Sequence, residues 1–189
     1  MDPQQRIFLE TVWETIENAG YQASQLSGTK TGLFVGVSTS DYLELLKENN
    51  VDIKAYTTTG SFHSILANRI SYLLNLKGPS VPVDTACSSS LVALRQAMEA
   101  IWSGSCEMAI VGGVNLMFTP TISISFSKAG MLSTDGKCKT FDKDANGYVR
   151  AEGAGAIMLK PLSKAIADRD QVHAVIRGCT INHGGELIR

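Results

Sequence analysis

Between Gln4 and Ala19 the apolar residues Phe8, Val12, Ile16 and Ala19 recur at intervals of three and four, and Gly20 follows, so the pattern predicts an amphipathic helix that stops there. Thr31 to Val37 is a short apolar, β-branched run and predicts a buried strand. Ser61 is placed to cap a second helix whose stripe is Phe62, Ile65, Leu66, Ile70, Leu73 and Leu74, broken by Gly78-Pro79. Ser80 to Val83 has room only for a strand. Leu91, Leu94, Met98 and Ile101 predict a third helix that ends at Gly104, and Met108 to Val111 a strand closed by Gly112-Gly113. Residues 133 to 150, rich in Asp, Lys, Gly and Asn, predict a long excursion. A strand over Ala154 to Leu159, a short helix over Ser163 to Asp168 and a last strand over Val172 to Arg177 complete the pattern. Strands alternating with helices predict an α/β fold.

Composition narrows the class. The chain has 189 residues, of which 44% are hydrophobic and 19% charged, enough apolar material for the core of one domain. Its 17 basic and 18 acidic residues are scattered and give a net charge of -1, so there is no basic stripe for nucleic acid. No apolar run approaches the roughly 20 residues of a membrane helix. Cys87, Cys106, Cys138 and Cys179 lie far apart without zinc-ligand spacing and read as reduced thiols, so a cytoplasmic setting is the expectation. No internal repeat or linker divides the chain, and the whole is expected to form one unit.

The chemistry concentrates at Cys87, in Asp84-Thr85-Ala86-Cys87-Ser88-Ser89-Ser90, between the strand ending near Val83 and the helix starting near Ser88. Helix N-termini carry roughly half a positive charge, and cysteines placed there are favoured as thiolates. A sharp strand-to-helix turn also exposes the nucleophile and frees its own N–H to help hold an oxyanion. The plainer reading is a small buried hydrophobe, the commoner fate of a single cysteine.

The wider sequence favours the first reading. The Cys87 segment resembles the active-site signature of β-ketoacyl synthase domains of modular type I polyketide synthases. Met1 to Arg6, Asn68 to Tyr72, Gly78 to Ser80, Cys138 to Asp142 and Gly147 to Gly153 resemble other blocks of that family in the same order. The resemblance implies a thiolase-like, layered αβαβα fold, present here incompletely and mainly as its N-terminal half. It also implies that an acyl chain moves from the phosphopantetheine thiol of an acyl carrier protein to Cys87. A malonyl-type carrier thioester then loses carbon dioxide and attacks that chain, extending a polyketide or fatty acyl chain. A thiolate suits both steps, attacking a thioester and later leaving. No bound cofactor or metal is implied.

The family's two histidines and lysine lie in blocks that have no counterpart among residues 1–189, and the family's domain begins before Met1. The chain therefore resembles a ketosynthase cut at both ends, expected to accept an acyl group without condensing it. His63, His173 and His183 do not fill the gap. Asn182-His183-Gly184-Gly185 resembles ketosynthases served by a separate acyltransferase, while Glu186 to Arg189 departs from both groups. Phe126 and Tyr148 align with positions that line or gate the acyl pocket in related condensing enzymes, the alternative being ordinary core aromatics. Arg150 and Glu152 read as structural charges in a buried turn. The family is a homodimer in which the strand carrying Pro79 to Val83 lies near the two-fold axis, so the chain is expected to expose that edge.

Two near matches fail. Asp142 to Gly147 reproduces the first half of a calcium loop, but the twelfth position is Gly153 and Glu152 falls one place early. Gly130 to Cys138 lacks the spacing and the Ser/Thr of a phosphate loop. Two rival functions remain open: a non-elongating ketosynthase that only transfers the acyl chain, and a cysteine hydrolase, for which no local signature is present.

Overall fold

In the computed structural model, which describes residues 1–185, helix α1 (Pro3–Asn18) begins where its cap dictates. The Asp2 carboxylate accepts the Gln4 N–H at 2.8 Å and Pro3 occupies the first turn. Phe8, Val12 and Ile16 are fully buried. The chain continues through β1 (Thr31–Gly36), α2 (Asp41–Glu48), α3 (His63–Leu73), β2 (Ser80–Val83), α4 (Ser89–Trp102), β3 (Met108–Asn115), α5 (Thr121–Lys128), β4 (Gly153–Leu159) and α6 (Leu162–Asp168).

The four strands form one sheet in the order β2-β1-β3-β4, with β2 and β3 parallel to β1 and β4 antiparallel to β3. Both faces are covered, which is why β1 reads as a continuous apolar run instead of an alternation. On one face α1 and α3 place Phe8, Val12, Ile16, Leu66 and Ile70 against Leu33, Val35 and Ile110. On the other, Ala93 and Ala97 of α4 meet Phe34, Val83, Ala109 and Val111. The small alanines let α4 lie close to the sheet.

Several expectations need correction. The second helix starts at His63 with Phe62 as its cap residue, and Ser61 instead donates to the Thr57 carbonyl at 2.9 Å. Leu66, Ile70 and Leu74 are buried as the stripe requires, but Phe62 and Leu73 face outward. On α4 the core face runs through Ala93, Ala97 and Met98, and Leu91 is exposed. Gly112-Gly113 does not close β3, which runs on to Asn115. The pair is there for space: a Cβ on Gly112 would stand 2.7 Å from a Phe8 ring atom of α1. Val172 to Arg177 is no strand, since its backbone has no neighbouring strand to pair with among the described residues. Helices α2 and α5 were not foreseen, and the expectation about Glu186 to Arg189 lies outside the described residues.

Candidate active site

Val83 ends β2 at the carboxyl edge of the parallel strands, the edge where open α/β sheets place their ligands. Between it and α4 the chain makes a single tight turn, Ala86–Ser88, with Cys87 exposed at its centre. The turn is strained: Ala86 sits at φ 54, a left-handed conformation that costs an L-residue about 1 kcal/mol.

Almost every polar residue of the motif is spent on holding that turn. Asp84 Oδ1 accepts the Ala86 N–H at 3.0 Å. Ser88 Oγ donates to the Thr85 carbonyl and bonds Thr85 Oγ1, both at 2.8 Å. Ser89 Oγ accepts the Thr85 N–H at 2.9 Å and donates to the Ala86 carbonyl at 2.6 Å. Two of the three serines, Ser88 and Ser89, thus stabilise their own backbone. The Cys87 N–H, by contrast, has no acceptor among the described residues. Helix α4 begins at Ser89, one residue later than expected, so Cys87 lies just ahead of its first turn.

The other cysteines differ. All four are free thiols. Cys106 is buried at 2% exposure beneath α4, and burial pushes its thiol up, consistent with a packing role. Cys138 accepts the Val149 N–H at 3.1 Å and ties down the excursion between α5 and β4.

That excursion carries the aromatic candidates. Phe126 on α5 and Tyr148 lie with ring centroids 6.4 Å apart, and the Arg150 guanidinium sits 5.7 Å from the Phe126 ring centre. Arg150 also donates to Ser123 Oγ at 2.6 Å. The segments bearing Phe126 and Tyr148 leave β3 and enter β4 at the Cys87 edge, since Asn115 pairs with Gly153. The two rings are brought together, and neither is hydrogen-bonded to Cys87. Arg150 and Glu152 are structural, as Glu152 accepts the Met117 N–H at 2.6 Å, but their turn is not buried. His63 bonds the Thr39 carbonyl at 3.0 Å and His183 accepts the Gly185 N–H at 2.9 Å. Neither is hydrogen-bonded to Cys87, and His173 lies in the exposed segment after α6. Among the described residues no three His, Cys, Asp or Glu side chains are grouped to hold a metal ion, and no helix is long and apolar enough to cross a membrane.

Missed from sequence was a buried amide above this edge. Gln4 is 1% exposed; its Nε2 donates to the Thr39 carbonyl at 3.1 Å, and its Oε1 accepts from the Leu116 N–H at 3.2 Å and from Thr39 Oγ1 at 3.3 Å. One side chain thereby joins the segments that leave β1 and β3. The only signal was a glutamine pair in the first turn of an otherwise apolar-faced helix.

A covered, largely parallel sheet with a cysteine on the turn after an edge strand defines the class. Residues 1–165 match the beta-ketoacyl synthase, N-terminal domain, and the chain belongs to that family. It is 51% identical over 185 residues to polyketide synthase PksN of Bacillus subtilis, covering 98% of this chain and 3% of that protein. It is 48% identical over 185 residues to probable polyketide synthase 1 of Dictyostelium discoideum, covering 98% of this chain and 6% of that one. Among solved structures, the ketosynthase from module 6 of the bacillaene synthase of Bacillus subtilis, a Cys-to-Ser mutant, superposes with a TM-score of 0.90 at 46% identity, covering 99% of this chain and 31% of that one. An oxazolomycin ketosynthase domain from Streptomyces albus gives 0.87 at 45% identity, covering 97% and 33%. The fold is therefore the thiolase-like α/β fold of ketosynthases, in part. The chain spans about a third of the solved ketosynthases and a few per cent of the curated synthases.

Proposed function

We propose that Cys87 is the residue on which this ketosynthase domain takes up an acyl chain. The observation that carries the reading is an exposed thiol on a strained turn at the carboxyl edge of the sheet, with its own N–H unengaged. The Cys87 thiolate attacks the carbonyl carbon of an acyl thioester, and the Cys87 N–H donates to the oxygen as it becomes an oxyanion. Collapse of that intermediate breaks the donor's C–S bond, leaving S-acyl-Cys87 and a donor thiolate that takes a proton.

In the complete domain the acyl chain arrives on the phosphopantetheine of an acyl carrier protein, and a malonyl-type carrier thioester decarboxylates and attacks S-acyl-Cys87, regenerating the thiolate. That second step needs acid–base groups, and among the described residues no histidine is hydrogen-bonded to Cys87, His63 bonding the Thr39 carbonyl and His183 the Gly185 N–H. The same observation favours acyl transfer as what these residues do by themselves. A homodimer belongs to this reading: β2 is an open edge strand, and the flanking α3 and α4 leave Tyr72 and Leu91 exposed. The Asn182 to Gly185 block supports supply by a separate acyltransferase.

The test is a tryptic map after incubation with an acetyl thioester. Acetyl on the peptide Gly78 to Arg95, which holds Cys87, is expected. Acetyl confined to peptides holding Cys106, Cys138 or Cys179 contradicts the assignment.

A further inference from the structure

Helices α2 and α5 are unusual in this chain because neither rests on the core. α5 buries none of its residues, and α2 buries only Asp41. An eight-residue helix is too short to hold itself in water, so its place must be set by what grips it. The grip is reciprocal. Glu44 of α2 accepts Thr119 Oγ1 at 2.9 Å with one carboxylate oxygen and the hydroxyl of Thr121, the first residue of α5, with the other. Asp41 Oδ2 accepts the Phe118 N–H at 3.3 Å, and the Tyr42 and Phe118 rings meet edge to face at 6.0 Å. The two hydroxyls hold the Glu44 carboxyl below the usual carboxylate range, so it stays charged and accepting.

The topology gives this clamp a function. α2 hangs from the carboxyl end of β1 and α5 from that of β3, so Glu44 bridges two segments that leave the sheet on the Cys87 edge. Downstream, α5 carries Ser123 and Phe126, which engage Arg150 and Tyr148. The position of that aromatic pair is thus set from two polar anchors, Arg150 on one side and Glu44 on the other, on a helix that fully buries none of its own residues.

Resting on the reading of Cys87 as the acyl acceptor and of Phe126 and Tyr148 as residues that line its acyl pocket, we propose that Glu44 is a positioning residue that determines which acyl chains Cys87 accepts, by fixing α5 and the Phe126–Tyr148 pair. Glu44 touches no reacting atom. Its effect is on the fit of the chain beyond the carbonyl, where misplacement of a wall by about 1 Å changes rates severalfold or more.

The experiment compares the parent chain with Glu44→Ala and Glu44→Gln, using acetyl and octanoyl N-acetylcysteamine thioesters. Each transfers its acyl group to Cys87 and releases N-acetylcysteamine. Intact mass gives the two acylation rates, and hydrogen exchange follows amides 121–128. Glu44→Ala is expected to speed exchange across α5 and to shift the octanoyl-to-acetyl rate ratio by about fivefold or more, with Cys87 alkylation by iodoacetamide unchanged. Glu44→Gln, which keeps one oxygen acceptor, is expected to fall between. Unchanged exchange in both variants overturns the clamp. Faster exchange with an unchanged ratio overturns the specificity role. Equal slowing of both thioesters and of iodoacetamide overturns it too, since that is damage to Cys87 itself. A parent chain acylated by neither thioester overturns the reading of Cys87, and this inference with it.

Discussion

Gly36 and Gly113 are register partners on the adjacent parallel strands β1 and β3, and Ser90 of α4 crowds the space in which either would carry a side chain. A Cβ on Gly36 would stand 2.6 Å from the Ser90 nitrogen and 2.8 Å from its hydroxyl. The first turn of α4, and with it the Cys87 turn, is seated on a notch cut by two glycines. Gly112 does the same on the opposite face for Phe8. The three glycines thin the sheet at the point where it carries the nucleophile.

Gly113→Ala therefore displaces the start of α4. The variant is expected to lose about 1–3 kcal/mol in denaturant unfolding, as overpacking does, and about tenfold or more in Cys87 acylation rate. Adding Ser90→Gly should restore part of both, because the two residues compete for one space. Independent, additive losses would contradict the notch.

Ala86 holds its left-handed φ of 54 only because the surrounding bonds impose it. Ala86→Gly removes the steric cost, and unfolding stability is expected to rise by about 0.5–1 kcal/mol. A loss of stability would show that the turn does not depend on that backbone conformation.

Gln4 is the buried link between Thr39 and Leu116. Gln4→Leu keeps the volume and strips three polar partners, so a loss of about 2–3 kcal/mol is expected, measured by denaturant unfolding. A neutral change would mean that those groups find other partners.

Below the sheet, Tyr21 donates to Asp170 Oδ1 at 2.7 Å, while Lys160 donates to Tyr21 Oη at 2.8 Å, to Asp170 Oδ2 at 2.7 Å and to Asp168. The Lys160 hydrogen bond is the main cause holding the Asp170 carboxyl below its ordinary 3.8. A carboxylate depressed in the folded state contributes stability above its unfolded value and loses it as pH falls through the folded one. Desolvation pulls Lys160 down, but its bonds to Asp168, Asp170 and Tyr21 outweigh that and raise it above 10.5, so its share is present at neutral pH and is lost only in strong alkali. Asp170→Asn is expected to cost about 1–2 kcal/mol at pH 7, a gap that closes as the pH drops below 3.8. A gap independent of pH would contradict the ionic account.

The elements legible in the sequence were those whose burial imposes a period. Phe8, Val12 and Ile16 mark α1, and the Thr31 to Val37 run marks β1, because each must face a core. α2 and α5 escaped because they bury almost nothing, so no apolar stripe is written into them. Gly112-Gly113 misled for a related reason: turn chemistry and close packing both select glycine, and only the neighbours, Phe8 and Ser90, tell them apart. At the site, the place of Cys87 between strand and helix was legible. The work of its serines was not, since Ser88 and Ser89 bond to their own turn and only coordinates reveal the direction of a hydroxyl. Gln4 and Glu44 act through contacts dozens of residues away, which no local pattern encodes.

The central claim is tested most directly by intact-mass analysis of the parent chain and Cys87→Ala after exposure to acetyl N-acetylcysteamine. One acetyl group on the parent and none on the variant is the predicted result. Acetylation that persists undiminished in Cys87→Ala would contradict the account.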